Sequence, residues 1–150
     1  MNVRSTFALA VLTSALACGC QTDAACKTDP EFETARAAWK AVHPSDYRFV
    51  WQQSCFCLPE AVQPIVVTVR HGEIVSATNR DGVPVSQEVR ENVQTIDALY
   101  QRIADAQCHA EEVRFKANER GVPDSIYIDP RHLVADDEYG VTISEFSIVR

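Results

Sequence analysis

The first seventeen residues constrain this chain most, because they set one stretch apart from the fold and decide the chemistry open to the rest. Met1 to Arg4 is a short basic start, and Thr6 to Ala17 is an apolar run carrying Phe7, Leu9, Val11, Leu12 and Leu16. A charged start, a short apolar core and a small-residue site form the pattern of a secretory signal peptide, too short to span a bilayer as a helix. Nothing amphipathic appears in it, so it does not read as the first helix of a domain. Ala15-Leu16-Ala17 offers an A-x-A cleavage site and leaves Cys18 as the new first residue, as lipoprotein processing requires. Cys20, after Ala17-Cys18-Gly19, is the alternative acceptor, and neither site matches the usual lipoprotein consensus closely. The expectation is a lipoprotein carrying palmitate on Cys18, or else on Cys20, held at a membrane on its extracytoplasmic side. A soluble secreted or periplasmic form is the alternative. Residues 1–17 are then the signal peptide, 18–28 a polar tether, and 29–150 a single domain.

Export puts six cysteines, Cys18, Cys20, Cys26, Cys55, Cys57 and Cys108, where disulfides persist. With the two at the processing site set aside, Cys26, Cys55, Cys57 and Cys108 suit two bridges, for which three connectivities exist. The chain has a net charge of −7, and losing Arg4 with the signal makes it one unit more negative. That balance argues against nucleic acid or an anionic membrane surface as a direct partner.

Along the mature chain, Asp29-Pro30 reads as a helix start, with Asp as N-cap, Pro in the first turn, and Glu31 and Glu33 following. Phe32, Ala35, Trp39 and Val42 share one face, and His43-Pro44 ends the helix. Tyr47 to Leu58 alternates: Tyr47, Phe49, Trp51, Gln53, Cys55 and Cys57 on one face, and Arg48, Gln52 and Ser54 on the other. This is the period of a half-buried strand. Ile65 to Arg70 and Glu73 to Thr78 form a hairpin about His71-Gly72, and Asn79 to Pro84 is a loop. A short helix over Val85 to Val93 precedes a longer one capped by Thr95, with Ile96, Leu99, Tyr100, Ile103 and Ala106 in helical period. Glu111 to Ala117 and Ser125 to Asp129 are strands about the turn Asn118-Glu119-Arg120-Gly121, and Arg131 to Glu138 is irregular. In a last strand, Tyr139 to Val149, Phe146 and Ile148 are out of phase with Val141 and Ile143, so a bulge is expected near Glu145.

The fold class is therefore α+β: an antiparallel sheet of about six strands with two main helices on one face. Its element order repeats, as an (αβββ)×2 pseudo-repeat, although the halves share no obvious residue identity. The second face of the sheet stays open to water or to a partner. Phe32, Trp39, Tyr47, Phe49 and Trp51 read as core, each worth on the order of 2–3 kcal/mol when buried.

Four stretches carry a family resemblance: Tyr47 to Glu60 with its Cys-Phe-Cys, Val67 to Ala77, Pro123 to Asp129, and Ala135 to Phe146 with its Asp-Asp-Glu-Tyr. Together they resemble the bacterial envelope family known as domain of unknown function 6174, over most of the mature chain. The resemblance implies an address in the bacterial cell envelope and brings no catalytic residues. Cys26 and Cys108 lie outside its pattern.

No catalytic constellation stands out. Cys55-Phe56-Cys57 is the sharpest local feature, and structural disulfides are the favoured reading of it. Thiol-disulfide exchange and a soft metal on two thiolates compete, the latter without a nearby His or Met. If the two main helices run antiparallel on one face, Cys26 before the first lies beside Cys108 at the end of the second. They then bridge and leave Cys55 to Cys57, with the strand ending or bulging near Phe56. Asp136, Asp137 and Glu138, with Asp129 upstream, form a candidate surface site without EF-hand spacing, read as a solvated loop. His43, His71, His109 and His132 stand singly, mostly at element ends. Neither a nucleophile elbow nor a phosphate-binding glycine loop is present. No cofactor and no metal is assigned. The function expected is a non-enzymatic binding or structural module for an envelope protein or cell-wall component; the alternative is a redox protein working through Cys55 and Cys57.

Overall fold

The computed structural model describes residues 26, 29–55, 57 and 59–149. The signal peptide, both lipidation candidates and all of the tether but Cys26 lie outside them, as do Phe56 and Leu58. The element order is α1 (Pro30–Val42), β1 (Tyr47–Ser54), β2 (Ile65–Arg70), β3 (Glu73–Thr78), α2 (Gln87–Asn92), α3 (Ile96–His109), β4 (Glu112–Ala117), β5 (Pro123–Asp129) and β6 (Tyr139–Ile148).

The helix starts are those the caps dictate. The Asp29 carboxylate accepts from Glu31 N at 2.9 Å, and Thr95 Oγ1 from Ala98 N at 3.2 Å. These bonds satisfy amides that a helix leaves without partners. The apolar faces are buried as expected, Phe32, Ala35 and Trp39 on α1 and Ile96, Leu99, Tyr100, Ile103 and Ala106 on α3. Val42 is the exception: it is exposed, because the chain leaves the helix at His43 directly after it.

All strand pairings are antiparallel, in the order β3-β2-β1-β6-β5-β4. Two three-stranded meanders therefore join through the first strand and the last. Tyr47, Phe49 and Trp51 of β1, Ile65, Val67 and Val69 of β2, Ile126 and Ile128 of β5, and Val141 and Ile143 of β6 meet the helices in one core. At the seam the register between Arg48 and Val50 shifts against Ser147 and Ser144, and Glu145 takes φ 53°. This is the expected bulge. It returns Phe146 to the core, against Trp39 and Tyr47, while Ile148 stays exposed.

β1 ends at Ser54, short of the expected Leu58. Extended residues two apart lie roughly 6.6 Å from each other, whereas Cys55 and Cys57 are bridged with their Cα atoms 5.3 Å apart. The chain must bend to close that pair. The other bridge joins Cys26 to Cys108 across 82 residues of chain, which is the expected connectivity. Closing so long a loop contributes about 2–4 kcal/mol by restricting the unfolded chain.

One turn recurs, though not at equivalent places in the two halves. The turn Asn79-Arg80-Asp81-Gly82-Val83-Pro84 after β3 recurs as Asn118-Glu119-Arg120-Gly121-Val122-Pro123 after β4. In each, the Asn side chain accepts from the amides two and four residues on, and the Gly has positive φ, 82° and 73°. The motif relates β3 to β4, the two edges of the sheet. The two copies differ in what covers them: Val83 is 57% exposed and Val122 1%.

Asp46 ties the start of β1 to the β2–β3 turn. Its carboxylate accepts from His71 N and from the Arg70 guanidinium, both at 2.9 Å. The backbone bond first, then the arginine, hold its pKa at about 2 instead of 3.8. A depressed carboxyl contributes stability that is present above its unfolded pKa and lost as pH falls through the folded one. In unfolding titrations between pH 5 and pH 1.5, the stability gap between wild type and Asp46→Asn is therefore expected to be constant above about pH 4 and to shrink toward pH 2. A gap that stays constant throughout would contradict this.

Candidate functional site

The sheet face opposite the helices carries the candidate site. Strand register sets its side chains in rows, since paired residues share a face. One row runs Gln52, Thr142, Ser125, Lys116; the next runs Ser54, Gly140, Tyr127, Arg114. Small hydroxyl side chains line the middle and two cations lie on the edge strand β4. Gly140 leaves a gap in its row: a Cβ there would lie 3.1 Å from Ser54 Cβ. Tyr127 is covered by the Arg114 guanidinium, 4.0 Å from the ring centre. All of these residues but Gln52 line a concavity of about 890 Å³, which Asp29 at the start of α1 also borders.

Two features singled out from the sequence border it. Cys55 lines one side, and Asp136 and Glu138 line the other. Asp137, between them, is turned aside: its Oδ2 accepts from Arg131 Nε and also lies 3.1 Å from Arg131 Nη2. The acidic stretch is thus mostly solvated, as expected of a loop, but it also walls the concavity.

Asp129 does not join that stretch. It is 6% exposed, the one buried charged side chain among the described residues. It accepts from Arg131 N at 2.9 Å and bonds His132 Nδ1 at 2.7 Å. That hydrogen bond, with the charges of Asp129, Glu111 and Glu112, raises the His132 pKa above its usual value against some desolvation. Glu112, opposite Asp129 in the β4–β5 register, completes the group. Sequence reasoning assigns Glu112 no role; its signal is hairpin register, counted back from the Asn118 turn.

The other histidines are structural. His43 Nε2 lies 3.1 Å from Asp97, which also accepts from Trp39 Nε1 at 3.1 Å, and His109 lies 3.6 Å from Asp105. His71, φ 50°, and Gly72, φ 79°, make the two-residue hairpin turn. Across the other half of the open face, Arg80 reaches Glu145 at 2.6 Å, with β2 and β1 between their segments. Burial drives Tyr47 and Tyr139 up to about 12, so neither hydroxyl ionises near neutrality. Among the described residues no helix is long and apolar enough to cross a membrane.

No curated protein and no solved structure matches the chain. Residues 31–148, from the first turn of α1 to the end of β6, match the model of a family of unknown function, DUF6174, and the chain belongs to that family.

Proposed function

We propose that the protein is a lipid-anchored, non-enzymatic module of the bacterial cell envelope that binds an envelope protein or cell-wall component on its open sheet face. The observation that carries this reading is the helix-free face with its polar rows and concavity. Antiparallel sheets can leave one face solvated, and hydroxyl, tyrosyl and guanidinium groups around a hollow suit a polar ligand. The signal-like start and two disulfides fit an extracytoplasmic address. Acylation of Cys18, or of Cys20 in its place, supplies the anchor.

A second reading rests on Cys55 lining that concavity: the Cys55–Cys57 bridge would take two electrons from a partner's dithiol, leaving two thiols here and a disulfide there. One experiment separates the readings. Cells expressing the full chain with a photocrosslinking residue at Ser125 or, as control, at Lys40 on the exposed side of α1 are labelled with radioactive palmitate. Label lost in Cys18→Ser, Cys20→Ser together, and crosslinks from Ser125 but not Lys40, are expected. Label that survives the double substitution would overturn the anchor, and equal crosslinking from both positions would overturn the open-face site. A partner captured through a mixed disulfide with Cys55 or Cys57 would establish the redox reading.

A further inference from the structure

We propose that Glu112, Asp129 and His132 form a binding site for a first-row divalent cation of the zinc class, at the end of the open face next to the concavity. Their donor atoms, two carboxylate oxygens and one imidazole nitrogen, all lie within 4.8 Å of one another. Two ligands on a tetrahedral zinc lie about 3.3 Å apart, given bonds of about 2.0–2.1 Å. His132 Nδ1 already lies 2.7 Å from Asp129 Oδ2 in a hydrogen bond whose proton a cation would replace, and the Glu112 side chain, 39% exposed, can close the remaining difference by rotation. Asp129 is the rigid member, held by the strand on one side and by the Arg131 amide on the other.

The surroundings orient the donors. Glu111 N donates to Asp129 O at 3.1 Å, and the Glu111 carboxylate accepts from His132 N at 2.7 Å. The loop that carries the imidazole is therefore pinned to the strand that carries Glu112. Outer contacts of this kind tune metal affinity. Two carboxylates neutralise a divalent charge, and three protein ligands leave a position open to water. One nitrogen with two oxygens suits zinc, cobalt or manganese, and falls short of the six to eight oxygens calcium takes. The competitor for Glu112 is Arg114, 3.3 Å away in a solvent-exposed pair. Such pairs are worth little, about 0–1 kcal/mol, and do not bar a cation.

The test uses the full chain with both bridges intact. Calorimetric titration with zinc is expected to show one equivalent bound, and cobalt a visible absorption band from the same site. His132→Ala and Glu112→Gln are each expected to weaken zinc binding at least ~10-fold. His71→Ala, on the far edge of the sheet, should bind as wild type. Glu112→Gln should melt as wild type without metal and His132→Ala somewhat lower, because buried Asp129 loses its imidazole partner, while zinc should raise the melting temperature of wild type and of His71→Ala and far less that of these two variants. No binding by wild type up to millimolar zinc, or an affinity unchanged in both variants, would overturn the site. So would a loss in His71→Ala as large as that in His132→Ala.

Discussion

Trp51→Ala is expected to lower the free energy of unfolding by about 3–5 kcal/mol, the range for truncating a buried aromatic. Trp51 is completely buried in β1, one of the two strands at the centre of the sheet. It pairs with Ile65 on β2 and with Ile143 on β6. A hole there opens at the seam between the two meanders, where backbone hydrogen bonds on both sides limit collapse. Denaturant unfolding of the two proteins measures the difference. A midpoint within error of wild type would place Trp51 outside the core.

Gly121→Ala is expected to cost comparably, although it adds only a methyl group. A Cβ at Gly121 would lie within 2.2 Å of Ala35 O and 2.3 Å of Trp39 N, both backbone atoms of α1. Those atoms cannot rotate away, so the helix itself must shift. Overpacking of this kind costs about 1–3 kcal/mol. The positive φ of 73° adds about 1–2 kcal/mol for a residue with a side chain. Gly121 O also accepts the Tyr100 hydroxyl at 2.7 Å, so the turn is held by α3 as well. Gly82 is the internal control. It has the same turn and a φ of 82°, but nothing within 4 Å of its would-be Cβ. Gly82→Ala should show the backbone cost alone, and equal losses in the two variants would refute the role of the α1 contact.

That pair of glycines shows how far sequence reaches. Both turns are readable as turns, because Asn and Gly at those spacings have one common backbone solution. The periodicities are readable too. Tyr47, Phe49 and Trp51 alternate, Ile96, Leu99, Tyr100 and Ile103 follow a helical period, and the lost phase at Phe146 announces the bulge at Glu145. These are local consequences of pleat and helix pitch, so neighbouring residues are enough to state them. The α+β class and the Cys26–Cys108 and Cys55–Cys57 pairs follow from the same local reading with one assumption about how the helices lie.

What depends on distant pairing is not in any window of the chain. Only the β1–β6 pairing puts Ser54 beside Gly140 and lays the rows that line the concavity. Only the β4–β5 register and the return of the loop put His132 and Glu112 at Asp129, while Asp136 and Glu138 go to the concavity wall instead. The physical reason is that a side chain's face is decided within its own strand. Its neighbours across the sheet are decided by which strand pairs with which, and that choice is settled by the burial of the whole apolar face at once.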